Sequence, residues 1–197
     1  MKKTLNNLAK AFVGESQARN RYTLYAKIAK KEGYEQIAEL FLETADHERE
    51  HAKWIMRMIN DLLGKKESEF KRGDDLKIQA DVPTVLAGTA ENLMAAINGE
   101  SYENKTMYPE FAKTAQEEGL EEVSERLTAI GKAEEHHEAR YKKLLTQVEN
   151  KSVFEKEQEQ DWVCRKCGYI HTGFKAPVEC PSCSHPKEYY QLLCEKY

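Results

Sequence analysis

The chain has 197 residues, enough for one core of ordinary size and a small appendix. Its 34 acids against 30 bases leave a net charge of −4, which offers no general attraction to nucleic acid or to an anionic membrane. No apolar run approaches the ~20 residues needed to span a bilayer. The opening stretch "MKKTLNNLAKAFVGESQ" reads as an amphipathic helix, not as a signal peptide, so a cytoplasmic protein is expected.

Residues 1–149 read as helix almost throughout, and glycines and loops divide them into four pieces. The first helix is expected from about Leu5 to Glu32, stopping at Gly33. The second runs from about Tyr34 to Leu63, stopping at Gly64. A polar, aperiodic stretch follows as a long connection. The third helix is expected to begin near Pro83, a residue suited to a first turn, and to end at Gly119. The fourth runs from about Leu120 to Val148. Two helical hairpins joined by one long crossover make a ferritin-like four-helix bundle. Residues 150–160, "NKSVFEKEQEQ", are charged and read as a linker, and 161–197 read as a separate small metal-binding domain.

The two hairpins repeat one another. "YTLYAKIAKKEG" (22–33) matches "YPEFAKTAQEEG" (108–119) at an offset of 86, whereas Leu8, Phe12, Gly14 and Glu15 match Leu93, Ile97, Gly99 and Glu100 at 85. The third helix has therefore gained one residue between Glu100 and Tyr108. No turn residues interrupt "GESYENKTMY", so the extra residue is expected to be absorbed as a π-bulge, a feature frequent at functional sites.

The core-facing stripe of the second helix is Ile37, Phe41, Thr44, Glu48, His51, Ile55, Met58, Leu62. That of the fourth is Val123, Leu127, Ile130, Glu134, His137, Tyr141, Leu144, Val148. The first helix presents Leu8, Ala11, Glu15, Ala18, Tyr22, Tyr25 and Ala29; the third presents Leu86, Ala90, Leu93, Ile97 and Glu100. Every helix thus places a carboxylate midway along its inward face. Several buried carboxylates repel and are costly unless cations neutralise them. One Glu from each of two helices plus Glu-x-x-His from each of the other two is the pattern of a dinuclear carboxylate site. Oxygen and imidazole ligands suit iron or manganese.

Glu103, one turn after Glu100, also reaches the site. Five glutamates carry five negative charges, against four positive charges from two ferrous ions or six from two ferric ions, as a redox centre should. Tyr22 and Tyr108 lie two turns beyond Glu15 and Glu100, where a metal-bound carboxylate would satisfy their hydroxyls; packing alone is the alternative. Glu43, Glu50, Glu135 and Glu138 fall off the stripes and read as solvated. His47 and His136 each precede a candidate ligand, Glu48 and His137, by one position and so point about 100° away from it; solvation is the expected reading, and contact with the ligands from outside is the alternative.

All five cysteines lie between Cys164 and Cys194. Cys164-x2-Cys167 and Cys180-x2-Cys183, twelve residues apart, form two knuckles that bind one tetrahedral ion, zinc or iron. Cys194 reads as a spare thiol.

"FVGES", "DHEREH", "GESYENKTMYP" and "AEEHHEAR", followed by "CRKCGYIH" and "CPSCSHP", resemble the rubrerythrin family over essentially the whole chain. The resemblance implies two non-haem irons in the bundle and a rubredoxin-type iron on Cys164, Cys167, Cys180 and Cys183. By motif, Glu15, Glu48, Glu100 and Glu134 match the family's carboxylate ligands and His51 and His137 its imidazoles. Glu103 matches a carboxylate that exchanges with the histidine at His51's position as the iron changes oxidation state. It also implies reduction of hydrogen peroxide to water, electrons from a donor chain that begins at NADH through a reductase or a rubredoxin, and dimers in which one subunit's rubredoxin-like domain serves the other's diiron site. The linker itself does not require such a swap: eleven residues reach up to ~36 Å when extended. A ferritin-like ferroxidase is the alternative enzyme, and a binding protein with structural metals a third possibility.

Overall fold

The computed structural model describes residues 1–196; Tyr197, the last residue of the expected C-terminal domain, lies outside that range. Helices α1 (Lys2–Lys31) and α2 (Glu35–Leu63) form one antiparallel hairpin. Helices α3 (Thr89–Tyr102) and α4 (Tyr108–Glu117), fused through a π-helical segment (Glu103–Met107), pack against α5 (Glu121–Glu149) to form the other. Gly33 and Gly119 both have positive φ, 85° and 73°, and turn the chain at equivalent points of the two hairpins. The crossover fills residues 64–88. The result is the expected ferritin-like bundle.

The third helix begins six residues later than the sequence suggests. Pro83 lies in the extended crossover, and Gly88, with φ −66° and ψ 169°, is the residue before the first helical turn. Proline's fixed φ suits an extended chain as well as a helix start, so Pro83 alone could not tell them apart. Leu86, assigned to the third helix's inward stripe, is consequently in the crossover and 56% exposed. The inserted residue is absorbed as expected, by π-helix at Glu103–Met107. Pro109, which has no N–H to donate, follows directly at the start of α4, so the ladder bond it would have made back into the π-helical segment is absent.

The bundle core has two apolar halves. One contains Leu8, Ile55, Leu62, Leu127 and Ile130; the other contains Tyr25, Phe41, Leu93, Leu144 and Leu145. Between them lies a layer of buried acids and histidines. Gly131 lets α5 approach this layer closely: a Cβ there would stand 3.1 Å from Cβ of Tyr108.

The C-terminal unit is a three-stranded antiparallel sheet, order β2-β1-β3, from β1 (Glu155–Cys164), β2 (Ile170–Lys175) and β3 (Tyr190–Leu192). Strand β1 starts inside the segment read as linker. Its first half, "EKEQEQ", is polar on both faces and mostly exposed, so it lacks the apolar alternation that marks a strand. The unit rests on the α1–α2 turn of its own chain. Tyr34 stacks on Phe154, with centroids 6.3 Å apart, and Arg165 pairs with Glu39.

Candidate metal centres

Four helices converge on two overlapping groups of side chains. Glu15, Glu48, His51 and Glu134 each bring one ligand atom within 4.8 Å of the others, and so do Glu48, Glu100, Glu134 and His137. Glu48 and Glu134 belong to both groups and give one oxygen to each. His51 Nδ1 lies 2.9 Å from Glu134 Oε1, 3.0 Å from Glu48 Oε2 and 3.7 Å from Glu15 Oε2. His137 Nδ1 lies 2.7 Å from Glu134 Oε2 and 3.4 Å from both Glu48 Oε1 and Glu100 Oε2.

None of these eight atoms has a hydrogen-bond partner, although all are buried. Orphaned buried polar atoms are rare and call for an explanation. Here they fall into two sets of three oxygens and one nitrogen, each set converging on one point. That donor set fits two adjacent cations. The remaining oxygens of the two terminal carboxylates are occupied: Tyr108 donates its hydroxyl to Glu15 Oε1, and Tyr22 donates to Glu100 Oε1. Both tyrosines are fully buried, and each bonds a carboxylate of the other hairpin, not the one two turns before it on its own helix.

Electrostatics point the same way. Burial, and then the charge of Glu134, pushes the Glu15 carboxyl above its ordinary range. Burial raises Glu48 strongly and lifts Glu100 to about 7. Glu134 is the exception. Against its own burial, the His137 and His51 imidazoles hold it down to about 2. His137 is pushed up to about 10 because the Glu100 and Glu134 carboxylates outweigh its burial, and His51 is raised further still. Protons are therefore the competitors that any metal must displace.

Glu103 belongs to neither group, though it is only 9% exposed. Burial and the charges of Glu15 and Glu100 raise its carboxyl well above the usual range. It stands at the start of the π-helical segment, against the α1 backbone: a Cβ on Gly14 would lie 3.9 Å from its Oε1.

Two residues read as lying away from the site belong to its surroundings. His47 places Nδ1 3.0 Å from His137 Nε2. Glu138 is buried, and it accepts hydrogen bonds from Asn104 Nδ2 at 2.7 Å and Lys105 Nζ at 2.9 Å, with Lys142 Nζ 2.5 Å away. The signal available for Glu138 was the pair Asn104–Lys105, polar residues inside the inserted turn. Glu43, Glu50, Glu135 and His136 are exposed as expected.

In the C-terminal unit, Cys164, Cys167, Cys180 and Cys183 form a third cluster. Sγ of Cys164 lies 3.7 Å from that of Cys183, and Cys167 Sγ lies 3.6 Å from that of Cys180. A tetrahedron with ~2.3 Å metal–sulfur bonds has edges of about 3.8 Å. Each knuckle turns through a left-handed residue, Gly168 (φ 76°) in the first and Ser184 (φ 55°) in the second. Against its burial, the Tyr190 hydroxyl and the Ser182 and Cys183 backbone amides lower Cys180 to about 6, favouring the thiolate a metal needs. Cys194 is exposed and apart from the cluster.

Comparison with known proteins follows the same division. The rubrerythrin family model matches residues 6–145, and the model for the rubredoxin-like domain of rubrerythrin matches 162–191. The chain belongs to the rubrerythrin family. It is 58% identical to a putative rubrerythrin of Methanocaldococcus jannaschii, over all of this chain and 96% of that one. It is 44% identical to a rubrerythrin of Nitratidesulfovibrio vulgaris, over 97% of this chain and 94% of that one. Among solved structures, the fully reduced, all-ferrous state of nigerythrin aligns with a TM-score of 0.63 at 32% identity, covering 96% of this chain and 86% of that one.

As a rubrerythrin, the chain is an oxidoreductase whose bundle carries a diiron carboxylate site. Its rubredoxin-like domain binds one iron through Cys164, Cys167, Cys180 and Cys183. Among the described residues no helix is long and apolar enough to cross a membrane.

Proposed function

We propose that the chain is a peroxidase that reduces hydrogen peroxide to water and draws its electrons through the iron of the four-cysteine cluster. The observation that carries this reading is the pair of four-atom donor sets sharing Glu48 and Glu134, in one chain with a rubredoxin-like cluster. Glu15, Glu48, His51 and Glu134 would hold one iron. Glu48, Glu100, Glu134 and His137 would hold the other, with Glu103 exchanging for His51. When bound and reduced, adjacent irons supply two electrons to one peroxide at once.

The chain's own residues set the conditions for that transfer. Tyr22 and Tyr108 fix Glu100 and Glu15 by donating to their Oε1 atoms, leaving the Oε2 atoms for metal. The two apolar core halves keep bulk water from the buried layer. Exchange of Glu103 for His51 would let the ligand charge follow the iron charge.

A homodimer or higher oligomer with exchanged rubredoxin-like domains agrees with the position of the C-terminal unit. Glu188, beside the cysteine cluster, packs on Gly33. Gly33 is fifteen residues from Glu48, or about 22 Å along α2 at ~1.5 Å per residue. The cysteine-bound iron of one subunit would serve the diiron site of another. An external NADH-dependent reductase or a rubredoxin would refill it in a reducing cytoplasm.

The test is visible absorption of anaerobically reduced protein mixed with one equivalent of hydrogen peroxide, beside a sample given oxygen. A rubredoxin-type band that returns rapidly with peroxide and slowly with oxygen supports the reading. Faster oxidation by oxygen, with uptake of added ferrous iron, would indicate a ferroxidase instead. Absence of the band would remove the internal relay.

A further inference from the structure

The geometry points to a second substrate class: we infer that a pocket ending at Glu103 admits organic hydroperoxides, which the same centre reduces to alcohol and water. This rests on the peroxidase reading above. The pocket lies between α1 and α3 and is roofed by residues 79–85 of the crossover. Its volume is about 670 Å³, within the ~300–1,000 Å³ of small-molecule sites. Hydrogen peroxide needs little more than the ~30 Å³ of a water molecule, so the space far exceeds what that substrate uses.

The lining is suited to a hydrocarbon group. Val13, Ala95, Met107 and Phe111 supply apolar lining, beside the polar Lys10 and Gln17. Arg21 adds a buried Nε with no partner, a donor for an oxygen on the substrate. Glu103 is the link to the metals. It lines the pocket, and it is close enough to Glu15, Glu100 and Glu134 for their charges to act on it. Displacement of the Glu103 side chain would join the pocket to the buried layer. The hydroperoxide would then enter with its O–O group leading and its organic group against Val13 and Ala95.

The step balances as ROOH + 2 e⁻ + 2 H⁺ giving ROH + H₂O. The O–O bond breaks, two electrons leave the reduced iron pair, and the two protons complete the hydroxyls. The cysteine-bound iron and its external one-electron donor restore the pair.

Two measurements test this with the metal-loaded full chain. Crystals of the oxidised protein soaked in 2-phenyl-2-propanol, the product expected from cumene hydroperoxide, should hold the alcohol against Val13 and Ala95. Ala95→Phe and Val13→Phe should each lower kcat/KM for cumene hydroperoxide at least 10-fold, and that for hydrogen peroxide less than 3-fold. An empty pocket in the soaked crystals, or equal losses for both peroxides, overturns the inference. Turnover of hydrogen peroxide without cumene hydroperoxide overturns this inference alone. Turnover of neither overturns the peroxidase reading beneath it.

Discussion

His47 and His137 form a stacked pair, with ring centroids 5.2 Å apart, 14° between planes and Nδ1 of the first 3.0 Å from Nε2 of the second. Because Nδ1 of His137 lies among the carboxylates, its Nε2–H is left to donate, and His47 Nδ1 is the acceptor. Burial, and then His137 itself, pushes His47 below the ordinary imidazole value, which favours the neutral ring that an accepting Nδ1 requires. A metal-binding histidine held in this way keeps its tautomer and ring orientation.

Replacing His47 should therefore weaken the site without touching a ligand. His47→Leu is expected to lower affinity for a divalent ion about 10- to 100-fold. His47→Gln, whose amide oxygen can accept from Nε2–H, should recover most of the loss. Titration of metal-free protein with ferrous iron against a chelator reads both. Equal affinity for His47→Leu and the parent chain would mean that the bond does no positioning.

The inserted turn has its own anchor. A π-helical segment is less favourable than continuous α-helix, so something outside it must hold it. Glu138 of α5 does so by accepting from Asn104 and Lys105, the two residues after Glu103. Glu138→Ala should cost about 2 kcal/mol, since it leaves part-buried donors without a partner. The urea midpoint should fall, and amide exchange across 103–107 should accelerate more than elsewhere. Uniform acceleration along the chain would refute a local anchor.

These two residues also show where sequence reasoning stops. The converging acids were legible because Glu15, Glu48, Glu100 and Glu134 interrupt apolar stripes at positions that periodicity alone makes buried. The π-helical turn was legible from a one-residue slip between two repeats. His47 and Glu138 were not. Each was judged by its rotation from a single stripe, but α5 is packed on more than one side, by α3 and α4 and by the face of α2 that carries His47. Burial on a second face comes from tertiary packing. The start of the third helix failed for a different reason, since Pro83 fits either conformation.

The start of α1 depends on a residue more than a hundred positions away. No side chain of α1 itself caps that end. Glu118, at the end of α4, accepts from the Thr4 backbone N–H at 3.0 Å and the Thr4 hydroxyl at 2.7 Å. Despite partial burial, the terminal ammonium and Thr4 hold its carboxyl down to about 2. A depressed carboxyl adds stability above its unfolded value, and this is lost as pH falls through the folded one. Glu118→Gln should cost about 1 kcal/mol at pH 7, and the gap between the two chains should narrow steadily from pH 4.5 towards pH 2 in thermal unfolding. A gap independent of pH would assign the effect to packing.

Metal uptake should depend on pH in the opposite region. In the metal-free site His137 is raised to about 10 and Glu100 to about 7, and both must lose their protons before they can bind an ion. A group that is protonated in the free site and bare in the loaded one makes affinity rise with pH, up to the pKa of the free group. His137 therefore predicts at least a tenfold gain in apparent affinity per pH unit from neutral pH upwards, and His51, raised further still, adds to it in the other set. Below about pH 7 Glu100 adds a further proton, and the slope should steepen again. Chelator competition with cobalt(II) at several pH values between 6 and 8.5, together with proton release into a weak buffer, measures both quantities. A flat profile would mean that the acids and imidazoles do not exchange protons for metal, and that the two four-atom sets are not the binding site.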